Sequence, residues 1–207
     1  MTQALYDALL ALPSTSIATN FYLDDSDGDS VFDTTATERR HALRSHLRKV
    51  DAGDLVLIGE AAGWRGARQS GVPFTSAHHV GLTGTREASA TVVQQALTNL
   101  RLPSRTLLWN TFPLHPHRPG EPRSNRRPTP GEQALTAALL DVAAAGRRVV
   151  CVGRIAADAY SAASGTVVPH VSEASRHSRA VAVRHPANGG APEFRAALAA
   201  AARLWLL

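Results

Sequence analysis

The chain has 207 residues, enough to bury a core without disulfide or metal staples. Hydrophobic residues make up 44% and charged residues 19%, a globular composition, and the single cysteine, Cys151, excludes an internal disulfide and any four-cysteine zinc or iron–sulfur site. The net charge of +5 sits in one stretch: Arg101 to Pro130 holds six arginines against Glu121, while the other basic and acidic residues balance at 16 each. Thr2 to Leu12 reads as a helix ended by Pro13. Asn20 to Thr35 is a polar loop carrying Asp24, Asp25, Asp27, Asp29 and Asp33, with neither the glycine offset nor the final glutamate of a calcium loop. Thr37 to Val50 is a helix capped by Thr37, with Ala42, Leu43, Leu47 and Val50 as its apolar stripe. Asp54 to Gly59 is a continuously apolar run, the mark of a parallel strand covered on both faces. A glycine-punctuated loop runs from Gly59 to Gly84. A helix then spans Arg86 to Leu100, and a second strand Arg105 to Asn110. A long Pro/Arg/His loop fills Thr111 to Thr129. Helix Pro130–Ala145, strand Arg148–Val152, helix Ile155–Ala163, strand Ala180–Val183 and a helix from Pro192 to about Leu206 complete the chain.

Strands separated by helices predict an α/β fold, a three-layer α/β/α arrangement around a central, mostly parallel four-stranded sheet. One domain over residues 1–207 is expected, with residues 1–36 an N-terminal helix and acidic loop packed on it. No apolar run reaches the roughly 20 residues of a membrane span, and the first residues lack a signal-peptide pattern. These features predict a cytoplasmic monomer without membrane contact. The arginine-rich stretch points to a polyanion as partner.

Open α/β sheets bind ligands beyond the carboxyl ends of their strands. Those ends carry Gly59-Glu60-Ala61-Ala62-Gly63 with Gly71-Val72-Pro73-Phe74, then Asn110-Thr111-Phe112-Pro113, then Arg184-His185-Pro186-Ala187-Asn188. A carboxylate, an amide, an imidazole and an aromatic ring thus reach one rim. No dinucleotide fingerprint, Walker lysine or Gly-x-Ser-x-Gly elbow is present. His78, His79, His115 and His117 lack further ligands at metal-binding spacing, so neither a metal nor a cofactor is expected.

In order and spacing these segments resemble the uracil-DNA glycosylase superfamily, over roughly Asp54 to Leu204. Gly59 to Gly63 with Gly71 to Phe74 is similar to the first motif of the branch that reads Gly-Glu-Ala-Pro-Gly. Asn110, followed by Ser124-Asn125-Arg126-Arg127-Pro128, resembles its base-reading strand and loop, and Arg184 to Ala187 its His-Pro-Ser motif. Ala62 and Ala187 replace the usual proline and serine, and the iron–sulfur cysteines are missing. The water-positioning aspartate of other branches corresponds to Ala61, and the tyrosine that bars thymine's methyl group to Gly63.

The resemblance implies hydrolysis of an N-glycosidic bond in DNA after the base is flipped into a pocket. Negative charge then builds on the base, chiefly at O2, and positive charge on the sugar. His185 is the expected O2 donor. Asn110 offers an amide matching uracil's N3–H and O4, a pairing that cytosine reverses. Phe74 would stack on the base, with Trp64 and Phe112 as further candidates for that wall, and Gly59, Ala61 and Gly63 would line the pocket. Glu60 would position water or oppose the sugar's charge. Arg118, Arg123, Arg126, Arg127 and Arg184, with Asn125 and Asn188, would meet the DNA backbone, and the loop Pro186–Gly190 would fill the space the base leaves. Uracil is the leading substrate. Hypoxanthine, xanthine or mismatched thymine, or a catalytically weak damage sensor, are the alternatives left by Gly63 and Ala61.

Overall fold

In the computed structural model, residues 2–23 and 34–207 are described. In chain order the helices are α1 (Thr2–Leu10), α2 (Ala36–Lys49), α3 (Ala67–Ser70), α4 (Ala88–Asn99), α5 (Pro130–Leu135), α6 (Ala137–Ala144), α7 (Arg154–Ser164) and α8 (Ala191–Trp205). The strands are β1 (Ala18–Thr19), β2 (Leu55–Ala61), β3 (Thr106–Phe112), β4 (His115–Pro116), β5 (Arg148–Val152) and β6 (Ala180–Val183). The main sheet has four strands in the order β3-β2-β5-β6, every neighbour pair parallel. The aspartate-rich stretch Asp24–Asp33, read as a polar acidic loop without the pattern of a calcium site and packed on the domain, lies outside the described residues.

Successive strand residues point to opposite faces, and here both faces are apolar. Val56, Ile58, Leu107, Trp109, Val149 and Cys151 pack into one core with α1, α2, α6 and α7. Leu55, Leu57, Leu108, Val150, Val152, Val181 and Val183 pack into another with α4 and α8. This is the three-layer α/β/α arrangement, and it explains why the strands read as unbroken apolar runs.

Several boundaries differ from the sequence reading. The cap of α2 is Thr35, not Thr37: Thr35 Oγ1 accepts from the Glu38 N–H, and the Glu38 carboxylate accepts in return from the Thr35 N–H, a reciprocal capping box. Strand β2 continues through Ala61 and β3 through Phe112, so Gly59 and Asn110 lie within the sheet rather than at the ends of their strands. The expected helix 130–145 breaks at Thr136, whose hydroxyl donates to the Thr111 carbonyl at 2.7 Å and ties the break to β3. The glycine-rich loop contains α3 and a 3-10 turn, Ala77–Val80. Pairing of β1 with β4, Ala18 opposite Pro116, joins the N-terminal segment to the arginine-rich loop and has no sequence signal.

Candidate active site

Gly59 and Asn110 face each other on β2 and β3. A β-carbon on Gly59 would lie 2.6 Å from the Asn110 amide and 2.8 Å from Phe74 Cζ. Only a bare backbone at this point lets the amide and the ring close over the strand. Phe74 has φ +55, a conformation unusual for a residue with a side chain. Its turn is fastened by Gln94 Nε2, which donates to the Phe74 carbonyl at 3.0 Å. The Asn110 amide is oriented with Nδ2 donating to the Trp109 carbonyl at 3.2 Å and Oδ1 accepting from the Ala62 N–H at 3.3 Å. Phe74, Asn110, Glu60, Gly63, Glu87 and His185 line one cavity of about 460 Å³.

His185 follows the end of β6. The Ala187 N–H donates to His185 Nδ1 at 3.1 Å. With Nδ1 an acceptor, the neutral ring carries its proton on Nε2. Desolvation holds the imidazole below its ordinary pKa, so the neutral tautomer prevails at pH 7. Gly153, with φ +92, passes close to the ring: a β-carbon there would be 3.3 Å from His185 Cβ.

Glu60 is half-buried at the end of β2. Desolvation raises its pKa, and the Arg127 guanidinium opposes that rise. The Glu60 carbonyl accepts from Thr111 Oγ1 at 2.8 Å, fixing the backbone from which the carboxylate projects. Ala61 pairs with Phe112 across the strands and supplies no polar group to the cavity.

The arginines divide into two sets. Arg126 was expected at the DNA backbone, but its guanidinium is spent inside the fold. It is bidentate to Glu132 at 2.7 and 2.5 Å and also donates to the carbonyls of Ile17, His117 and Arg127. The side chains of Arg127 and Arg154 have no hydrogen bond or ion pair among the described residues. They border a second cavity of about 470 Å³ that shares Glu60 and His185 with the first and continues to Arg184 and Asn188. Arg184 bonds Glu193 at 2.7 Å and the Asn188 carbonyl at 3.3 Å, and Arg118 pairs with Glu121 at 3.3 Å, both on the surface. The second cavity was not read from the sequence: Arg154 sits at the start of a helix with no motif around it.

Arg123 lies over the Trp64 ring at 5.6 Å, and Arg68 over the same ring at 4.2 Å. Trp64 is therefore an anchor for arginines rather than a wall of the base pocket, and Phe112 is buried in the core. Asn125 Oδ1 accepts from the Trp64 N–H at 2.8 Å, binding the arginine-rich loop to the β2 rim. His115 is buried and pushed down to about 4 by desolvation. Its Nδ1 faces the Ala62 carbonyl at 2.7 Å. Among the described residues no group of three or more His, Cys, Asp or Glu side chains could hold a metal ion. No helix there is long and apolar enough to cross a membrane.

The strand ends of the parallel sheet thus gather an amide, an aromatic ring, a carboxylate and a neutral imidazole in one cavity, the place where an α/β enzyme keeps its active site. The model of the uracil DNA glycosylase superfamily matches residues 49–202. The chain belongs to that superfamily, and its activity class is that of a DNA glycosylase, with DNA as substrate. No curated protein matches the chain. Among solved structures, the crystal structure of wild-type SMUG2 from Pedobacter heparinus is similar, with a TM-score of 0.62 at 11% identity, covering 98% of each chain. That likeness is one of fold.

Proposed function

We propose that the chain is a monofunctional glycosylase that removes uracil from DNA, working as a single domain and as a monomer, from the branch whose first motif reads Gly-Glu-Ala-Pro-Gly. The observation that carries this is the approach of Asn110 and Phe74 over Gly59, which makes a slot for a flat ring with an amide at its edge. Phe74 stacks on the flipped base, worth roughly 1–3 kcal/mol. Asn110 pairs with N3–H and O4. His185 Nε2–H donates to O2 as the bond breaks. A neutral donor suffices, because a directed hydrogen bond stabilises charge that forms only in the transition state. Glu60 stands on the sugar side as a carboxylate, where it opposes the positive charge and orients the attacking water. Ala61 brings no carboxylate, so that work falls to Glu60.

Arg118, Arg123, Arg127, Arg154 and Arg184 meet phosphates, and Asn188, at φ +52 on the tip of its loop, faces the gap left in the duplex. A second reading, release of a different damaged base, is favoured by Gly63, whose β-carbon would meet nothing nearer than Asn125 Oδ1 at 4.0 Å. Timed release of free base from oligonucleotides carrying uracil, hypoxanthine, xanthine or mismatched thymine separates the two. Release of no base by a protein that still binds damaged DNA would instead favour the damage sensor.

A further inference from the structure

The base cavity has a crowded end and an open end. At the crowded end Gly59, Asn110 and Phe74 touch. At Gly63 the cavity is roomier, since a β-carbon there would meet nothing nearer than Asn125 Oδ1 at 4.0 Å, and the lining also includes Ala67 and a second carboxylate, Glu87, which the proposed reaction does not use. Gly66 adjoins it: a β-carbon there would lie 2.9 Å from Glu87 Oε2.

Glu87 is the N-cap residue of α4. Glutamate is not among the residues favoured at that position, where serine, threonine, aspartate and asparagine satisfy the helix best. Its side chain makes no cap hydrogen bond to α4, so capping does not account for a glutamate here. Its pKa is raised by desolvation and lowered by Ser89 and the Ala90 N–H, and no cation among the described residues acts on it. The Ala90 N–H does not close to a cap hydrogen bond, and acceptor capacity is left unused, since a carboxylate has about four lone-pair positions. Glu87 is half-buried, lines the pocket and has no counter-ion among the described residues, so a hydrogen-bond donor on a ligand would complete it.

We propose that Glu87 is a base-selecting residue: it accepts a hydrogen bond from an O–H or N–H group projecting from the flipped base into the part of the cavity that Glu87 lines beside Gly66, and so favours bases carrying such a donor. This rests on the glycosylase reading above. Glu87→Ser separates selection from capping, because serine is a preferred cap and withdraws the carboxylate from the pocket.

The probes are single-turnover release of 5-hydroxymethyluracil, thymine and uracil from otherwise identical duplexes. The first two differ only by a hydroxyl, and ratios to uracil cancel leaving-group differences between parent and variant. In Glu87→Ser the release of 5-hydroxymethyluracil relative to uracil should fall by about 10-fold or more, the loss of one hydrogen bond to a charged group. Thymine relative to uracil should not fall. Glu87→Gln, close in shape, is the second variant if the serine protein melts early, and it should lower the same ratio to a lesser extent. Unchanged ratios, or hydroxymethyluracil and thymine falling together, would show that Glu87 only shapes the space, and the proposal would be wrong. Release of no base at all by the parent would overturn the glycosylase reading itself.

Discussion

The Asn110 amide occupies the space that a side chain on Gly59 would need, 2.6 Å from the position of its β-carbon. One methyl group at residue 59 must displace either the amide or the Phe74 ring, whose Cζ is 2.8 Å away. Asn110 projects from β3 and Phe74 from a turn tied to Gln94, so either shift moves a group that lines the cavity. Gly59→Ala should therefore lower single-turnover base release by about 100-fold, the scale of a misplaced reacting group. Affinity for undamaged duplex should stay within about twofold, because the arginines are untouched. Normal release by the variant would mean that the slot over Gly59 does not hold the base.

Arg126 and Arg127 are adjacent in sequence and opposite in duty. Arg127→Ala should reduce the slope of log K against log salt by about 1 for duplex DNA and leave stability nearly unchanged. Arg126→Ala strands Glu132 and three carbonyls, and should cost about 2 kcal/mol of stability in urea unfolding. Equal effects of the two substitutions on the salt slope would contradict the internal commitment of Arg126.

Acid should slow the reaction through Glu60. Its pKa lies above the ordinary carboxylate range because of desolvation, so the working anion is lost as pH falls, earlier than for an exposed glutamate. The parent's rate should drop on acidification, and Glu60→Gln should be slow and flat over the same range. His185→Ala should lower the rate about 100-fold at every pH above neutrality, since the ring is already neutral there. A parent rate that rises as pH falls from 7 would assign the working form to imidazolium instead.

Stability has its own acid limit, set by His46. Its Nε2 accepts from the Leu108 N–H at 3.1 Å, which covers the outer edge of β3, and burial pushes its pKa down to about 4. The unfolded chain binds this proton near pH 6.5, the folded chain only near 4. The stabilisation is thus complete above pH 6.5 and is lost progressively as pH falls toward 4. His115, held neutral in the same way, adds to the slope. Melting temperature should drop between pH 7 and pH 5, and His46→Gln, which keeps an acceptor for Leu108, should drop less. Parallel curves for parent and variant would exclude His46 as a source.

The sheet was legible because burial on both faces leaves an unmistakable signature: Leu55 to Ile58 and Val149 to Val152 contain no polar residue. Strand ends were less so, since Gly59 and Asn110 look like terminators and are instead paired inside the ladder. The break at Thr136 depends on a carbonyl 25 residues away, and β1 meets β4 across nearly 100 residues; local pattern carries neither. Rim residues followed from the strand ends and the motifs. Arg126 did not, because an internal guanidinium and a solvent-facing one are the same letter. Glu87 and Arg154 sit at helix starts, where charge has an ordinary explanation, and only the cavities single them out.

The family match begins at residue 49, yet the arginine-rich loop leans on something earlier. The Ile17 carbonyl accepts from the His117 N–H and from Arg126 Nη2, each at 2.9 Å, and Thr19 Oγ1 lies 3.1 Å from His117 Nε2. The loop proposed to grip the DNA backbone is therefore assembled from two distant parts of the chain, while the cavity proposed to choose the base lies within the matched region. Wear in the N-terminal buttress would loosen the hold on the duplex and spare the reading of the base, so the two halves of recognition are free to drift at different rates.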